Sequence, residues 1–336
     1  MKVAVVILNY NGTDMLGRFL PSVVKYSPDA EIVVADNAST DDSVAVVAKD
    51  FPGVRLIRLD RNYGFADGYN KALEQVDAEY FLLLNSDVEV TEGWLEPMLS
   101  LMEKNANVLA CQPKILAYNN KTHFEYAGAA GGFIDRYGYP YCRGRLFDSV
   151  EEDKGQYDSP CRVFWATGAA MMVRSAAFRK VGGLDGRFFA HMEEIDLCWR
   201  LLARGGEIYA VPQSRVYHVG GATLNKSNPR KTFLNFRNNL LMLYKNLPHG
   251  ELRSVMCMRA VLDYVAAFKF LLTGAFGDFK AVLRARCEYR RLRGEYKPVR
   301  EQNLAAATVP VIEERARFSL LWQYYVKGKK HFSQLK

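Results

Sequence analysis

Acidic side chains follow two apolar runs that are typical of buried strands. Asp36 ends the run Glu31–Ala35, and Asp87 closes the turn after the run Tyr80–Leu84. In open α/β sheets, ligands bind outside the carboxyl ends of the strands, which is where both acids are expected. Asp87 suits a hard divalent cation that binds substrate phosphates, and Asp36 can accept hydrogen bonds from a base or a ribose hydroxyl. Taken alone, each acid also fits an ordinary turn or a helix cap.

Two polar amides and an aromatic ring follow the first apolar run, Val3–Leu8, in the segment Asn9-Tyr10-Asn11-Gly12. A ring beside polar backbone can stack on a nucleobase while the amides form hydrogen bonds with its edge. A simple turn from strand to helix is the alternative.

Further ionisable groups come later in the chain. Glu193, Glu194 and Asp196 open a predicted helix directly after the segment Phe188–Met192. The helix dipole favours acids in a first turn, but three acids are more than capping requires. His218 follows a predicted strand, where a single histidine can be a ligand or simply structural.

Strand-like runs alternate with helical patterns over the first hundred residues, which predicts a largely parallel sheet covered on both faces. The predicted strands are Val3–Leu8, Glu31–Ala35, Val54–Leu59 and Tyr80–Leu84, and the predicted helices are Met15–Tyr26, Asp41–Asp50 and Ala66–Val76. Residues 114–162 are rich in Gly and Tyr and predict irregular hairpins that could wall a second substrate. The later predictions are a strand turning into a helix (Gly168–Val181), a helix (Glu193–Arg204) and a short strand (Glu207–Val211).

The composition is that of a soluble globular protein with room for more than one structural unit. The chain has 336 residues, of which 49% are hydrophobic and 24% are charged. Its 6 cysteines form no CxxC pair, which argues against a disulfide framework or a zinc site and fits a reducing compartment. The apolar start is short and interrupted by Asn9, so it predicts a strand and no signal peptide.

Together, these segments resemble glycosyltransferase family 2, the inverting enzymes with the GT-A fold, over residues 1 to about 225. The segments that carry the resemblance are Val5–Gly12, Val33–Asp41, Arg61–Ala66 with Asn70, Leu84–Asp87, Phe188–Leu197 and Val216–His218. The resemblance implies an α/β fold of GT-A type: a Rossmann-like, mostly parallel sheet flanked by helices, with a C-terminal helical extension. Residues 1–239 would form the catalytic domain, with a nucleotide-sugar-binding half (1–112) and an acceptor-binding half (113–239). Residues 240–336 would form the extension.

The resemblance also implies roles for individual residues. The nucleotide-binding residues would be Asn9, Tyr10, Asn11, Asp36, Asn62, Gly64 and Asn85. Asp87 matches the last acid of the family's metal-binding motif, and His218 matches a histidine that often helps to bind the metal, Mg²⁺ or Mn²⁺. The Glu193-Glu194 pair matches the family's Glu-Asp motif, which puts Glu194 first as catalytic base and Glu193 second. Many relatives have Asp at the positions of Asn85 and Glu194.

The implied activity is transfer of a sugar from a nucleoside-diphosphate sugar to a glycan or lipid-linked glycan in cell-surface polysaccharide synthesis. The segments Asn9–Gly12 and Asn85–Asp87 resemble the rhamnosyltransferase branch, so dTDP-rhamnose leads as donor and UDP-sugars remain open. The alternatives are a nucleotidyltransferase, for which Asn9–Gly12 lacks a Gly-rich basic phosphate loop, and a non-catalytic glycan- or nucleotide-binding module.

The C-terminal part is basic, with 18 Lys and Arg against 8 Asp and Glu from Leu240 onward. In the apolar segment Val255–Phe276, Arg259, Asp263 and Lys269 fall within about a third of a helix circumference. This pattern predicts an amphipathic helix lying on an anionic membrane surface rather than a span. We therefore expect a cytoplasmic protein, peripheral on the inner face of the membrane. A helical extension packed on the catalytic unit is the alternative, and no motif points to nucleic acid.

Overall fold

The computed structural model describes residues 2–220 and 228–335. Its strands are β1 (Val3–Asn9), β2 (Glu31–Asp36), β3 (Arg55–Arg58), β4 (Tyr80–Asn85), β5 (Val88–Val90), β6 (Val108–Ala117), β7 (Asn120–Phe124), β8 (Gly132–Ile134), β9 (Pro140–Cys142), β10 (Arg145–Leu146), β11 (Ser149–Val150), β12 (Cys161–Arg162), β13 (Ala170–Arg174) and β14 (Glu207–His218). Its α-helices are α1 (Thr13–Tyr26), α2 (Ser43–Asp50), α3 (Gly64–Leu73), α4 (Glu96–Lys104), α5 (Ser175–Lys180), α6 (Glu193–Ala203), α7 (Pro229–Asn246), α8 (His249–Leu272), α9 (Phe276–Leu292) and α10 (Lys297–Ala305). Short helical turns lie at Gly186–Phe188, Trp322–Val326 and Phe332–Leu335.

Among the described residues, ten strands form one sheet in the order β12-β14-β6-β13-β4-β1-β2-β3, with β5 beside β14 and β7 beside β6. Strands β4, β1, β2 and β3 run parallel, as the sequence predicts, and β6 is also parallel to β14. β13 lies antiparallel between β4 and β6. A second, antiparallel sheet contains β8 to β11, which confirms the hairpins predicted between residues 114 and 162.

Alternation along β1 explains why both faces of the sheet are covered. Val3, Val5 and Ile7 pack on one side with α1, α2 and α4, whereas Ala4 and Val6 pack on the other side with α3. Successive side chains of a strand point to opposite faces, so a strand that is apolar at every position is buried on both. The α/β fold with a mainly parallel central sheet is confirmed.

Strand β14 is longer than the sequence predicts. The prediction ended it at Val211, because Pro212 and the polar residues after it interrupt the apolar run. The structure continues the strand to His218 through an irregular register between Val211 and Arg215. A bulge of this kind absorbs the interruption without ending the strand. His218 is therefore the last residue of β14, opposite Val88 of β5.

The C-terminal helices pack on the remainder of the chain. Within α7, Lys245 contacts Asp196 of α6 at 3.0 Å, and Asn239 donates a hydrogen bond to the Gly138 carbonyl at 2.7 Å. Helix α7 runs through the boundary proposed at residues 239 and 240, and the division into domains stays a prediction. None of the helices in the described part of the chain has the length and apolar character needed to cross a bilayer.

Candidate active site

Asn9 and Asp36 meet at the carboxyl edge of the sheet, where β1 and β2 end in register. Asn9 Nδ2 donates to Asp36 Oδ1 at 3.2 Å and to Ser39 Oγ at 3.1 Å. The backbone N–H of Ser39 donates to Asp36 Oδ2 at 3.0 Å. Asn9 Oδ1 is buried and has no hydrogen-bond partner among residues 2–220 and 228–335. A buried acceptor left in that state is unfavourable unless a ligand or water supplies a donor.

Tyr10 and Asn11 lie beside this pair. Tyr10 is 46% exposed, so its ring is open to a stacking partner. Asn11 has a φ of 52°, its N–H donates to Ser39 Oγ at 2.9 Å, and its Oδ1 accepts from the Thr40 N–H at 2.7 Å. Asparagine tolerates this left-handed conformation better than most residues, which fixes the turn after β1.

Asn62 and Gly64 shape the adjoining loop. Asn62 Oδ1 accepts from the Gly64 N–H at 2.8 Å and from Asn37 Nδ2 at 3.1 Å. Gly64 has a φ of 75°, and a Cβ built on it would stand 2.5 Å from the ring of Phe189. The Phe189 carbonyl in turn accepts from the Phe65 N–H at 2.6 Å. This loop is thus packed directly against the segment that leads to the glutamate pair.

Asp87 and His218 form a buried pair at the next strand end. His218 Nε2 lies 3.1 Å from Asp87 Oδ1 and 3.4 Å from Asn85 Nδ2, and His218 Nδ1 lies 3.3 Å from Glu125 Oε2. Burial lowers the pKa of His218, but the hydrogen bonds and charges of Asp87 and Glu125 raise it to about 10. Burial likewise raises the pKa of Asp87, but His218 outweighs this effect and leaves it below its ordinary value.

The spacing of the Asp87 carboxylate and the His218 imidazole suits a divalent cation, which would replace the proton that joins them. Two neighbouring ligands of an octahedral ion lie roughly 3 Å apart when each is about 2.1 Å from the metal, and Asp87 Oδ1 and His218 Nε2 are 3.1 Å apart. Within residues 2–220 and 228–335, no group of three or more His, Cys, Asp or Glu side chains is arranged to hold a metal. The remaining ligands would therefore have to come from a diphosphate and from water, as is usual for Mg²⁺.

Backbone strain marks the segment before α6. Phe189, His191 and Met192 have φ values of 67°, 72° and 73°, a conformation that non-glycine residues rarely adopt. The buried Asn238 of α7 holds this segment, because its Nδ2 lies 2.9, 2.9 and 2.8 Å from the carbonyl oxygens of Phe188, Ala190 and His191. Strain of this type persists only where the surroundings enforce it, and it is common at functional sites.

Glu193 and Glu194 follow this strained segment at the start of α6. Each has a buried Oε2 without a hydrogen-bond partner in the part of the chain that the structure describes. Burial raises the pKa of Glu194 to about 7, although the backbone N–H groups of Glu194 and Ile195 partly oppose the shift. The pKa of Glu193 is also raised, by burial and by the charge of Glu194. A carboxylate with a pKa near neutrality is suited to act as a general base.

Two glycines connect these groups into one region. A Cβ on Gly12 would stand 2.4 Å from Asn9 Oδ1 and 3.7 Å from Ser86 Oγ, so Gly12 lies between the Asn9 cluster and the turn that carries Asp87. A Cβ on Gly168 would stand 3.8 Å from the Cβ of Glu194. The next residue, Ala169, accepts a hydrogen bond from the Asn85 N–H at 3.0 Å. The structure therefore brings the predicted nucleotide, metal and base residues to the same edge of the sheet.

Asp196, the third acid of the α6 motif, has hydrogen-bond partners that Glu193 and Glu194 do not share. Asp196 is fully buried and accepts hydrogen bonds from Arg200 at 2.9 Å, Lys245 at 3.0 Å and Asn246 at 2.8 Å. Burial raises its pKa, but the charges of Lys245 and Arg200 leave it below its ordinary value. Asp196 thus attaches α6 to α7.

Sequence reasoning missed Glu125 and Asn238. Glu125 lies in an irregular segment after β7 and has no motif around it, so only its contact with His218 reveals it. Asn238 sits in a helix about 45 residues after the glutamate pair, and a polar residue there looks like part of a solvated face. Neither position carries a local signal.

Comparison with known proteins decides the family. The model for glycosyl transferase family 2 matches residues 4–182. The chain belongs to this family. Membership supports a sugar-transferring enzyme and confirms the resemblance that the sequence segments predict.

Curated relatives include rhamnosyl- and hexosaminyl-transferring enzymes. The chain is 26% identical over 229 residues to the N-acetylglucosaminyl-diphospho-decaprenol L-rhamnosyltransferase of Mycobacterium tuberculosis, covering 64% of this chain and 75% of the relative. It is also 26% identical over 240 residues to the N-acetylgalactosaminyltransferase 6 of Drosophila melanogaster, covering 68% of this chain. The match spans only 36% of that second protein.

Solved structures show the same fold. The truncated TarS of S. aureus (residues 1–349) matches with a TM-score of 0.53 at 16% identity, covering 98% of this chain and 92% of that one. GalNAc-T7, solved with UDP, GalNAc and Mn²⁺, matches with a TM-score of 0.57 at 20% identity, covering 73% of this chain and 48% of that one. The predicted GT-A fold with C-terminal helices is confirmed.

Proposed function

We propose that the protein is an inverting, metal-dependent glycosyltransferase that uses a nucleoside-diphosphate sugar. The observation that carries the proposal is Glu194, whose partly buried carboxylate has a pKa raised to about 7 and an Oε2 with no hydrogen-bond partner among the described residues. Glu194 lies beside Gly168. The carbonyl of the next residue, Ala169, accepts the hydrogen bond from the Asn85 N–H. A general base next to a phosphate-binding strand end is the arrangement that single-displacement sugar transfer requires.

Different binding residues contact different parts of the nucleotide-sugar donor. Asp36 accepts hydrogen bonds from the base or ribose, Asn9 and Asn11 contribute amide groups, and Tyr10 offers its exposed ring for stacking. Asn62 and Gly64 hold the loop that faces Phe189, and Asn85 lies next to the diphosphate. The unpartnered Asn9 Oδ1 supports this assignment, since a ligand N–H would satisfy it.

Asp87 and His218 would hold Mg²⁺ or Mn²⁺, and Glu125 would orient the His218 ring from its other nitrogen. When bound, the cation offsets negative charge on the diphosphate leaving group. Asn85, where many relatives have Asp, leaves this site with fewer negative charges of its own.

Glu194 performs the proton transfer. Its carboxylate removes the proton from an acceptor hydroxyl while that oxygen forms a bond to the anomeric carbon. The bond from the anomeric carbon to the diphosphate oxygen breaks in the same step, and its electron pair leaves with the nucleoside diphosphate. One displacement inverts the configuration at that carbon. Glu193, with a raised pKa of its own, is the second candidate for the same role.

The finer assignment is a hexosyltransferase of cell-surface polysaccharide synthesis, with dTDP-rhamnose as the leading donor and UDP-sugars as the alternative. The M. tuberculosis relative, a rhamnosyltransferase whose name describes a decaprenol-linked acceptor, supports this choice. A glycan or lipid-linked glycan is then the acceptor, which would bring the enzyme to the inner face of the cytoplasmic membrane as a peripheral protein.

The test is a panel of nucleotide sugars measured by thermal stabilisation of the purified protein, with Mn²⁺ and with EDTA. We expect one nucleotide class, led by dTDP-rhamnose, to raise the melting temperature with Mn²⁺ and to lose most of that effect with EDTA. Ligands that bind only the folded state stabilise it in proportion to the logarithm of their concentration. Donors that stabilise would then be assayed for slow hydrolysis and for inversion at the anomeric carbon. No stabilisation by any nucleotide sugar would contradict the proposal.

A further inference from the structure

Helix α8 buries two charged residues of the predicted polar stripe, Arg259 and Asp263, whereas the third, Lys269, is exposed. Arg259 and Asp263 are buried, and Arg259 Nη2 lies 3.0 Å from Asp263 Oδ1. Arg286 of α9 contacts the other carboxylate oxygen of Asp263 at 2.7 Å, and Arg259 also donates to the Tyr137 carbonyl at 2.9 Å. Arg259 and Asp263, two of the three residues of the predicted polar stripe, thus fasten α8 to the protein.

The opposite side of α8 is apolar and exposed. Val261, Val265, Phe268 and Leu272, here called the outer face of α8, are 57%, 61%, 58% and 71% exposed. Their spacing of four, three and four residues places them on one stripe of the helix, about 16 Å long. Helices on a protein surface normally bury such a stripe and expose the charged one. A contiguous apolar patch left in water marks an interaction site.

Aromatic residues near the C-terminus extend this patch. Trp322 and Tyr325 are 55% and 57% exposed, and Val326 beside them is also exposed. The ammonium group of Lys269, on the edge of the outer face, lies 5.7 Å from the centre of the Tyr325 ring and so connects the two surfaces. Tryptophan and tyrosine are enriched at the boundary between lipid and water, where an apolar ring with a polar edge is favoured.

Positive charges border the patch. Lys269 and Lys327 are exposed there, and Lys330 lies over the ring of Tyr324. An apolar stripe bordered by lysines is complementary to a bilayer with anionic headgroups above acyl chains. A second copy of this chain would bring two basic borders together, which like-charge repulsion disfavours.

We infer that the outer face of α8, with Trp322 and Tyr325, docks on an anionic lipid bilayer and lies at the boundary between headgroups and acyl chains. The inference deepens the proposed function and rests on it for a lipid-linked acceptor. The sequence also predicts an amphipathic helix on the membrane. The structure adds that the buried Arg259–Asp263–Arg286 cluster anchors this helix to the enzyme while its apolar side is exposed.

Flotation of the full chain with vesicles tests the inference. Vesicles of phosphatidylcholine with about a third phosphatidylglycerol would be compared with phosphatidylcholine alone at moderate salt. We expect the unmodified chain to float with the anionic vesicles and the variant V265E/F268E to lose most of this binding, at least about tenfold, because binding follows the apolar area inserted. The control V24E changes an apolar residue of α1 that is 41% exposed, and should float like the unmodified chain.

Three results would overturn the inference: an unmodified chain that stays with the soluble fraction, equal flotation of V265E/F268E, or loss of flotation in V24E as well. A dimer in sedimentation that V265E/F268E dissociates, without any flotation, would assign the face to a second copy instead. The folding of V265E/F268E is checked by circular dichroism and by its melting temperature. Nucleotide-sugar binding, measured without vesicles, tests the proposed function separately, so either can fail alone.

Discussion

Asn238 lies 2.8 Å from the carbonyl oxygen of His191 and thereby ties α7 to the strained residues that precede the glutamate pair. The same amide lies 2.9 Å from the carbonyl oxygens of Phe188 and Ala190. Burial lowers the pKa of His191 to about 4, and the charge of Lys231 contributes, so this ring is neutral at pH 7. The buried Asn238 amide, on a distant helix, therefore helps to hold the segment that positions Glu194.

We predict that Asn238→Ala lowers turnover more than it lowers donor affinity. The substitution leaves buried carbonyls without a donor, which costs about 1–3 kcal/mol, and releases a segment that is strained by a similar amount. Steady-state kinetics and calorimetry of donor binding separate the two effects. Asn235→Ala is the control, because the Asn235 amide donates to the Lys231 carbonyl of its own helix. Equal losses of turnover in Asn238→Ala and Asn235→Ala would show that Asn238 does not position the segment before Glu194.

Asp87→Ala should weaken nucleotide binding only where a metal contributes. Asp87 is the carboxylate paired with His218 in the proposed metal site, so its removal should abolish the difference between Mn²⁺ and EDTA. Calorimetry with a nucleoside diphosphate in both buffers measures this difference. Asp50→Ala, at the exposed end of α2, is the control. A metal effect that survives in Asp87→Ala would discard the assignment.

Glu125→Gln should lower metal affinity while the fold is retained. The Glu125 carboxylate faces His218 Nδ1 at 3.3 Å and would keep Nε2 directed at Asp87. Loss of such an outer carboxylate typically weakens metal binding by about 10–100-fold. A Mn²⁺ titration of donor binding gives the metal affinity. Glu152→Gln changes an exposed glutamate and serves as the control. An unchanged titration would show that Glu125 does not orient the ring.

Two pH dependences follow from Glu194. Its pKa is raised from 4.5 to about 7, so the base is protonated below neutrality and kcat/KM should fall about tenfold from pH 8 to pH 6. The folded chain also holds this proton more tightly than the unfolded one, so the free energy of unfolding falls as the pH rises from about 4.5 to about 7.

Glu194→Gln removes the ionisable group and therefore this loss of unfolding free energy at high pH. The variant should therefore gain melting temperature relative to the unmodified chain at pH 8, with a smaller difference at pH 5. Thermal unfolding at both pH values measures the effect. A difference that is the same at both would show that Glu194 ionises normally in the folded chain.

Strands β1, β2 and β4 could be predicted from the sequence because each is a continuous apolar run that ends at a polar residue. Their parallel register then fixes where Asn9, Asp36 and Asn85 lie. The full length of β14 could not be predicted, because a bulge carries the strand past Pro212. The contacts of Glu125 and Asn238 depend on tertiary packing between distant segments. No local pattern records such contacts.

The orientation of α8 shows a second limit of sequence reasoning. The pattern gives an apolar and a charged stripe but does not say which one faces the protein. The buried pair of Arg259 and Asp263 finds its third partner in Arg286, which lies 23 residues beyond Asp263 on another helix. Pairing of charges across helices therefore reverses the orientation that hydrophobicity alone favours.

The central claim is that Glu194 is the base of a nucleotide-sugar site, and one variant tests it most directly. Glu194→Gln keeps the shape of the side chain but cannot accept the proton, so donor binding by calorimetry should be unchanged while transfer to the acceptor falls by a factor of about 10² or more. Glu193→Gln, measured alongside, should retain more activity. Near-normal transfer by Glu194→Gln, with donor binding intact, would contradict the account.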